Sequence, residues 1–486
     1  MSKENRKPNV LIIMTDQHRA DFMNCAGWDH VATPNIDRIA SNGVRMERAY
    51  CPYPVCVASR MSMLTGLYSH TTGAITNEDR LDWRYRTMAH HFGENGYLTG
   101  LIGKMHFLDA HNHGFEYYLS VNDWLMYLGP KAQHYANEIA SHPLSRNFTR
   151  TVFDHGAGFP DVVDLWEDDH SPWVGNVTES DYKLMASELD LDDQLDTFIA
   201  RESIKFMERY REQPFMLVTS FMKPHTPLFA PREFAEMFPP ESIELPEPGP
   251  RETYPEHIQR RIERMLDQPE YQRKAHSAGY LACLAFADHC VGQVLDALDR
   301  LDLADDTIVV YTSDHGEMHG DHGLWQKFCL FEQAVRVPLI VSYPKQLPQG
   351  EVTRALTEQF GLYPTLIEMT GIEEPRTTAL VDFPGAVPRM EAQSFADVLK
   401  NPDAEGPAAA FSEHGLRGGI PQYMIRTDRY KYIYNHGALH ELYDLETDPQ
   451  EYYNLIENPT YIRVAEELRA QLVEWYDPEK SPFLPD

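Results

Sequence analysis

Short, fully apolar runs alternate along the chain with segments of helical periodicity. The runs NVLIIMTD (9–16), PFMLVTSFMKPH (214–225) and TIVVYTSDHG (307–316) lack the regular polar positions of a half-exposed strand. Continuous apolar runs of this length are typical of parallel strands that are buried on both faces. Because such strands alternate with helices, the sequence predicts an α/β fold with a large, mostly parallel central sheet sandwiched between helices.

Charged and imidazole side chains stand at the ends of four of the predicted strands. Asp16, Lys104, His225 and the pair Asp314-His315 each lie at or directly after such an end. In open α/β sheets, ligands bind outside the carboxyl ends of the strands, so we expect these side chains to share one site. The simpler alternatives are a strand-end cap for Asp16 and a polar turn for Asp314-His315.

Changes of pattern divide the chain into two units. Residues 108–190 have little periodicity and many aromatic and acidic residues, which is typical of a functional cover segment. Residues 372–410 are irregular and rich in proline, so we place a catalytic α/β domain at 1–375 and a C-terminal subdomain at 376–486. The alternating pattern of residues 423–455 predicts a small antiparallel sheet in that subdomain, followed by a helix.

The composition narrows the functional classes. Lys and Arg number 43 against 74 Asp and Glu, so the formal net charge is −31. A surface this acidic repels nucleic acid and anionic membranes, and an anionic substrate would need locally gathered positive charge. The six cysteines form no C-x-x-C pair, and the sequence suggests neither a secretory leader nor a membrane span, so we expect a cytoplasmic protein with reduced thiols.

Five short motifs follow one another along the chain. They are CVASRMSMLTG (56–66), LIGKMH (101–106), KPHTP (223–227), TSDHGEMHGDHGLWQKFCLFE (312–332) and ELYDLETDPQEYYNL (441–455). In this order they resemble the signature elements of type I sulfatases of the alkaline phosphatase superfamily. The resemblance covers most of the chain and implies an alkaline phosphatase-like fold, with a mostly parallel or mixed sheet between helices and a smaller C-terminal antiparallel sheet plus helix.

Two details of these motifs resemble one branch of the family. The start Asp16-Gln17 and the pair Asp314-His315 are similar to iduronate-sulfatase-like, choline-sulfatase-like and phosphonate-monoester-hydrolase-like proteins. The resemblance implies a sulfuric ester hydrolase that cleaves a carbohydrate or small organic sulfate through a metal-bound formylglycine hydrate. A phosphonate monoester or phosphodiester hydrolase that uses the same site is the alternative.

Cys56 is the residue on which this interpretation depends. Taken alone, a cysteine in such a chain is most often a small buried hydrophobic residue. The resemblance implies instead that a formylglycine-generating enzyme oxidises Cys56 and that Arg60 orients the product. Ala58 stands where the family signature has proline. A non-catalytic binding protein with unmodified Cys56 is the reading that would follow if this departure blocked the oxidation.

The resemblance also implies one divalent metal ion. Its ligands would be Asp16, Asp314, His315 and the oxidised Cys56, with Gln17 either as a further oxygen ligand or as a neighbour of the ligands. Carboxylate oxygens suit Ca²⁺, Mg²⁺ or Mn²⁺, and we expect Ca²⁺ first.

The remaining candidate residues would act on the substrate. The resemblance assigns Lys104 and Lys327 to the sulfate oxygens, His225 to protonation of the leaving oxygen and His106 to the second hydroxyl of the hydrate. The alternatives are solvated surface lysines and hydrogen-bonded core histidines. We expect four further side chains to reach the substrate unless they belong to a surface loop: Asn77, Glu413, His414 and Arg417. The expected partners are a small-molecule or saccharide sulfate ester and the generating enzyme, and homo-oligomerisation stays open.

Overall fold

A mixed eight-stranded sheet forms the centre of the computed structural model, which describes residues 7–133, 135, 186–415 and 419–484. The first ten strands are β1 (Asn9–Asp16), β2 (Val44–Tyr50), β3 (Leu98–Gly103), β4 (Tyr117–Leu119), β5 (Ala186–Ser187), β6 (Phe215–Pro224), β7 (Ala230–Pro231), β8 (Thr307–Ser313), β9 (Leu339–Ser342) and β10 (Glu351–Glu358). The large sheet has the order β10-β2-β9-β8-β1-β6-β3-β4, and β5 and β7 pair separately.

Most neighbouring strands of the large sheet are parallel. β1 pairs in parallel with β6 and β8, β3 with β6 and β4, and β10 with β2. Only β9 among these strands runs antiparallel to its neighbours, β2 and β8. Every residue of β1 and β8 is buried, as expected for central strands with cover on both faces.

Helices surround this sheet. They are α1 (Pro34–Ser41), α2 (Cys56–Thr65), α3 (Ser69–Thr72), α4 (Met88–Glu94), α5 (Val121–Leu128), α6 (Leu195–Tyr210), α7 (Arg232–Ala235), α8 (Glu256–Leu266), α9 (Glu270–Arg300), α10 (Glu332–Val335), α11 (Leu362–Thr370), α12 (Ala396–Lys400) and α13 (Ile462–Trp475). α6 and α9 pack against each other and against β6, while α2 packs against α3, α4 and α11. α9 is long and apolar enough to cross a membrane, but 83% of its most apolar window is buried in the fold, so core packing accounts for its apolar surface.

A second, smaller sheet forms the C-terminal unit. Its strands β11 (Ala409–His414), β12 (Gln422–Thr427), β13 (Tyr430–Asn435) and β14 (Glu441–Asp444) are antiparallel in sequence order, and α13 packs on β12 and β13. Both parts of the predicted fold, the large α/β sheet and the small antiparallel sheet with its helix, are confirmed. The expected boundary after residue 375 falls between β10 and β11, and most of the predicted cover segment 108–190 lies outside the described residues.

The two units meet beside the start of α2. Tyr53, Val55 and Ala58 belong to the same apolar cluster as residues of the C-terminal sheet, among them Tyr423 and Ile425. The small sheet therefore packs against the backbone on both sides of Cys56. The carboxyl ends of the large-sheet strands approach Cys56 from within the α/β unit.

Candidate active site

Cys56 is the first residue of α2, a helix in which every residue is buried. Val55 before it is extended, and the Asn77 side-chain oxygen accepts the Val57 N–H at 3.3 Å, which caps one of the free donors of the first turn. The helix ends at Gly66, whose φ of 68° favours glycine. The sequence thus places Cys56 at a fixed, capped helix start.

Four potential metal ligands surround one point. The ligand atoms of Asp16, Cys56, Asp314 and His315 all lie within 4.8 Å of one another, and all four residues are buried. His315 Nε2 is 3.3 Å from Cys56 Sγ, 3.7 Å from Asp314 Oδ1 and 3.9 Å from Asp16 Oδ1. Because His315 Nδ1 hydrogen-bonds the Gly316 carbonyl at 2.9 Å, Nε2 is the nitrogen that faces this point.

Arg60 holds both carboxylates from behind. Its Nη2 donates to Asp16 Oδ2 at 2.9 Å and its Nε to Asp314 Oδ2 at 2.8 Å. Its Nη1 donates to the Lys104 carbonyl at 2.5 Å and to Ser220 Oγ at 2.9 Å. The guanidinium is completely buried, so its charge is fully engaged with these acceptors. As a result, Oδ1 of each aspartate is left on the side of Cys56.

Two lysines flank the Cys56 sulfur. Lys104 Nζ lies 3.9 Å from Sγ and 2.6 Å from Asp16 Oδ2, and Lys327 Nζ lies 3.7 Å from Sγ. Burial opposes ionisation of the Cys56 thiol, but Lys104, Lys327 and His315 outweigh it and hold its pKa well below the ordinary value. The surroundings of position 56 therefore stabilise negative charge.

Two histidines complete the surroundings of Cys56. His106 and His225 are both buried, and the neighbouring Cys56 side chain acts to raise the pKa of each. Burial lowers the pKa of both, and Lys104 and Lys327 help to lower that of His225 to about 4. His225 Nδ1 lies 2.7 Å from the Thr226 carbonyl, while Nε2 is 3.9 Å from Asp16 Oδ1, so Nε2 points into the site.

Gln17 connects Lys327 to a buried glutamate. Its Oε1 accepts from Lys327 Nζ at 2.7 Å, its Nε2 donates to Glu317 Oε2 at 2.5 Å, and its backbone N–H donates to Asp314 Oδ1 at 3.0 Å. Glu317 also accepts the backbone N–H groups of His319 and Gln326. In this arrangement the Gln17 oxygen positions Lys327 beside Cys56.

The expected substrate-binding side chains have separate environments. Asn77 caps α2, as described above. Glu413 is buried, and both of its oxygens accept from His70, one from the backbone N–H and one from Nδ1, each at 2.8 Å. The His414 ring lies 5.4 Å from the Tyr53 ring. Arg417 lies outside the described residues.

Sequence reasoning missed Ser220 and Arg261. Ser220 lies on β6 and accepts from Arg60. Arg261 on α8 donates to the carbonyls of Trp325, Lys327 and Phe328, the segment that carries Lys327. No motif surrounds either residue, and both act through contacts more than sixty residues away in sequence, so the sequence carried no signal for them.

Two protein families match this chain. Residues 8–372 match the family described as sulfatase, and residues 320–477 match that described as N-sulphoglucosamine sulphohydrolase, C-terminal. The choline-sulfatase of Rhizobium meliloti (strain 1021) is 29% identical over 465 residues, which cover 93% of this chain and 83% of that protein.

Two solved structures share the fold. The phosphonate monoester hydrolase of Agrobacterium radiobacter has a TM-score of 0.77 at 23% identity, with 96% of this chain and 95% of that chain covered. A structure solved with its substrate, D-glucosamine-2-N,6-O-disulfate, has a TM-score of 0.74 at 23% identity, with 99% and 100% covered.

Proposed function

The chain belongs to the sulfatase family and is a sulfuric ester hydrolase, and we propose that it cleaves sulfate monoesters of saccharides or small organic alcohols with a formylglycine made from Cys56. The observation that carries the proposal is the position of Cys56 Sγ, which two lysines and His315 approach within 3.9 Å. A sulfate monoester is anionic, so its hydrolysis needs charge neutralisation, a nucleophile and a proton for the leaving oxygen. All three are available around position 56.

The donor set fits one divalent cation. Asp16 and Asp314 supply carboxylate oxygens, His315 supplies Nε2, and an oxidised residue 56 would supply oxygen in place of sulfur. This oxygen-rich set favours Ca²⁺, with Mn²⁺ or Mg²⁺ as alternatives. Bound there, the ion would polarise the sulfate oxygens and lower the pKa of a hydroxyl group at position 56.

An aldehyde at position 56 supplies a recyclable nucleophile. As a hydrate it offers one hydroxyl to attack sulfur and a second to release sulfate and restore the aldehyde, so that ester and water yield alcohol and hydrogen sulfate. A serine at this position would lack the second hydroxyl and would stay sulfated.

The protein's own side chains divide the remaining work. Lys104 and Lys327 bind the non-bridging sulfate oxygens and neutralise their charge. His225 Nε2 gives its proton to the ester oxygen as the S–O bond breaks. His106 accepts the proton of the second hydroxyl. Burial, Lys104 and Lys327 lower the pKa of His225 to about 4 in the free site, and the negative charge of a bound sulfate would oppose this and favour the protonated imidazole that the step needs.

A phosphonate monoester or phosphodiester hydrolase is the second candidate. It is favoured by the Asp314-His315 pair and by the fold that the chain shares with the Agrobacterium enzyme. Lys104 in its G-K-x-H element favours the sulfatase reading instead.

We also propose a cytoplasmic location. We further propose a small or short-chain substrate, because an acidic chain of net charge −31 disfavours long polyanions.

Mass spectrometry of the tryptic peptide 49–60 tests the proposal. Oxidation of Cys56 should lower its mass by about 18 Da, the difference between a CH₂SH group and an aldehyde. The same peptide contains Cys51, so Cys51→Ser should keep this loss and Cys56→Ser should abolish it.

Activity on matched sulfate, phosphate and phosphonate esters should follow that measurement. We expect the converted protein to hydrolyse sulfate esters fastest. A converted protein that prefers phosphonate or phosphodiester substrates would replace the first candidate with the second. A protein that stays unconverted beside a working generating enzyme would contradict the formylglycine mechanism.

A further inference from the structure

Three aromatic side chains from both units cluster next to the reacting position. Tyr53 lies three residues before Cys56, Phe328 directly follows Lys327, and His414 comes from β11 of the small sheet. The His414 ring centroid lies 5.4 Å from that of Tyr53 and 6.1 Å from that of Phe328. Lys327 Nζ lies 5.6 Å from the Phe328 centroid and 3.7 Å from Cys56 Sγ, so the cluster adjoins the sulfate position.

The backbone of Phe328 is held in an unusual conformation. Its φ is 72° and that of Gln326 is 64°, values that side-chain-bearing residues rarely adopt. Arg261 fixes this segment by donating to the Trp325 carbonyl at 3.0 Å, to the Phe328 carbonyl at 2.9 Å and to the Lys327 carbonyl. The backbone that carries the ring is therefore held before a substrate arrives, as expected of a binding surface more than of a surface side chain.

Tyr53 is more deeply buried than the other two rings. Tyr53 is 2% exposed and packs into the core of the small sheet, whereas Phe328 and His414 are only partly buried. Tyr53 can thus serve as a fixed support, and the other two rings can offer surface to a ligand. A flat ring face beside a sulfate pocket suits the C–H face of a pyranose or an aryl ring.

Two cations already lie near the Phe328 ring. Lys327 Nζ is 5.6 Å and the Arg261 guanidinium carbon 5.9 Å from its centroid. A positively charged alcohol group bound there would meet two like charges at short range, and this repulsion would outweigh its attraction to the ring. Neutral and anionic groups avoid that cost.

We propose that Phe328 and His414, supported by Tyr53, form the leaving-group subsite of this enzyme and that the subsite takes an uncharged or anionic ring alcohol. The inference rests on the proposed sulfatase function, and it adds the residues that contact the alcohol and the charge that they accept.

Steady-state kinetics with three sulfate esters test the subsite. Glucose 6-sulfate offers a neutral ring, methyl sulfate offers none, and choline sulfate offers a cationic chain. For the converted wild type we expect the highest kcat/KM with glucose 6-sulfate. Phe328→Ala should lower that value by about tenfold, mainly through KM, and should change the value for methyl sulfate less than about twofold. Phe328→Tyr, which keeps the ring, should restore the preference.

His414→Ala is the second variant, because Phe328→Ala could disturb its strained segment. It should also lower kcat/KM for glucose 6-sulfate selectively. Equal losses on glucose 6-sulfate and methyl sulfate in both variants would overturn the subsite, since a purely structural role affects both substrates alike. A wild type that prefers choline sulfate would overturn the charge selection. A converted wild type that cleaves none of the three sulfates would overturn the proposed function itself, and the subsite with it.

Discussion

Replacing Arg261 with methionine should displace Lys327 from Cys56. The Arg261 side chain is buried, and its guanidinium donates to three carbonyls of the 325–328 segment, those of residues 325, 327 and 328. Methionine fills a similar volume but donates no hydrogen bond. The three carbonyls would then be left without their buried donor, and the left-handed turns at Gln326 and Phe328 would lose their external support.

The expected magnitude follows from these three bonds. A hydrogen bond to a charged group contributes about 1.5–3 kcal/mol. Because neighbouring bonds are not additive and the segment can partly relax, we expect the unfolding free energy to fall by about 4 kcal/mol. A displacement of Lys327 by about 1 Å should lower kcat by about a hundredfold.

Arg260 provides a matched control on the same helix. Its side chain is 62% exposed and forms an ion pair with Glu256 at 2.8 Å, so Arg260→Met should change stability by less than about 1 kcal/mol and leave kcat intact. Urea unfolding and steady-state kinetics of both variants make the comparison, and Arg261→Lys, which can serve fewer of the carbonyls, should fall between them. If Arg261→Met matched Arg260→Met in both measurements, the argument that Arg261 positions Lys327 would be wrong.

Three further predictions follow from other contacts. Chelation of divalent ions should lower activity and Tm. Added Ca²⁺ should restore both in the wild type but not in the variant Asp314→Asn. A wild type whose activity and Tm do not change with chelators would contradict the metal site. Burial alone would lower the pKa of His70, but Glu413 outweighs it and raises that pKa. The pair of His70 and Glu413 should therefore stabilise the fold below pH 6.5, and this contribution should be lost as the pH rises through the raised pKa. His70→Gln should flatten that part of the stability curve, and an unchanged curve would refute the assignment. Glu317→Ala should free the Gln17 amide and raise KM for sulfate esters, with Tm as the control for folding. An unchanged KM in a folded variant would contradict the role of Glu317 in holding Gln17.

Much of the fold could be predicted because the decisive signals are local. Fully apolar runs identified β1, β6 and β8, and their polar ends identified the edge of the sheet where the candidate site lies. The match of residues 8–372 to the sulfatase family confirms the resemblance that the motifs indicated. The antiparallel direction of β9 was not predicted, because a short apolar strand carries no mark of its orientation.

What could not be predicted depends on long-range pairing. Both oxygens of Glu413, a candidate for substrate contact, accept from His70, 343 residues earlier in the chain. The role of Arg261 depends likewise on a segment that begins 64 residues later. Periodicity describes which face of an element is buried, but it does not identify the partner that a buried polar group will meet, and partners decide whether such a group is structural or faces the ligand.

The distribution of charge connects the fold to the proposed chemistry. A chain with net charge −31 cannot attract a sulfate ester over its surface, so recognition must come from cations withdrawn from solvent. Arg60, Lys104 and Lys327 are all buried at the carboxyl end of the sheet, where water does not screen them. Arg60 pairs with both aspartates and Lys104 also contacts Asp16, so a divalent cation at this point would complete the neutralisation of the carboxylates and leave the lysines to meet the anion. The site can therefore be selective for one compact anionic group, while the aromatic residues beside it select the alcohol to which that group is attached.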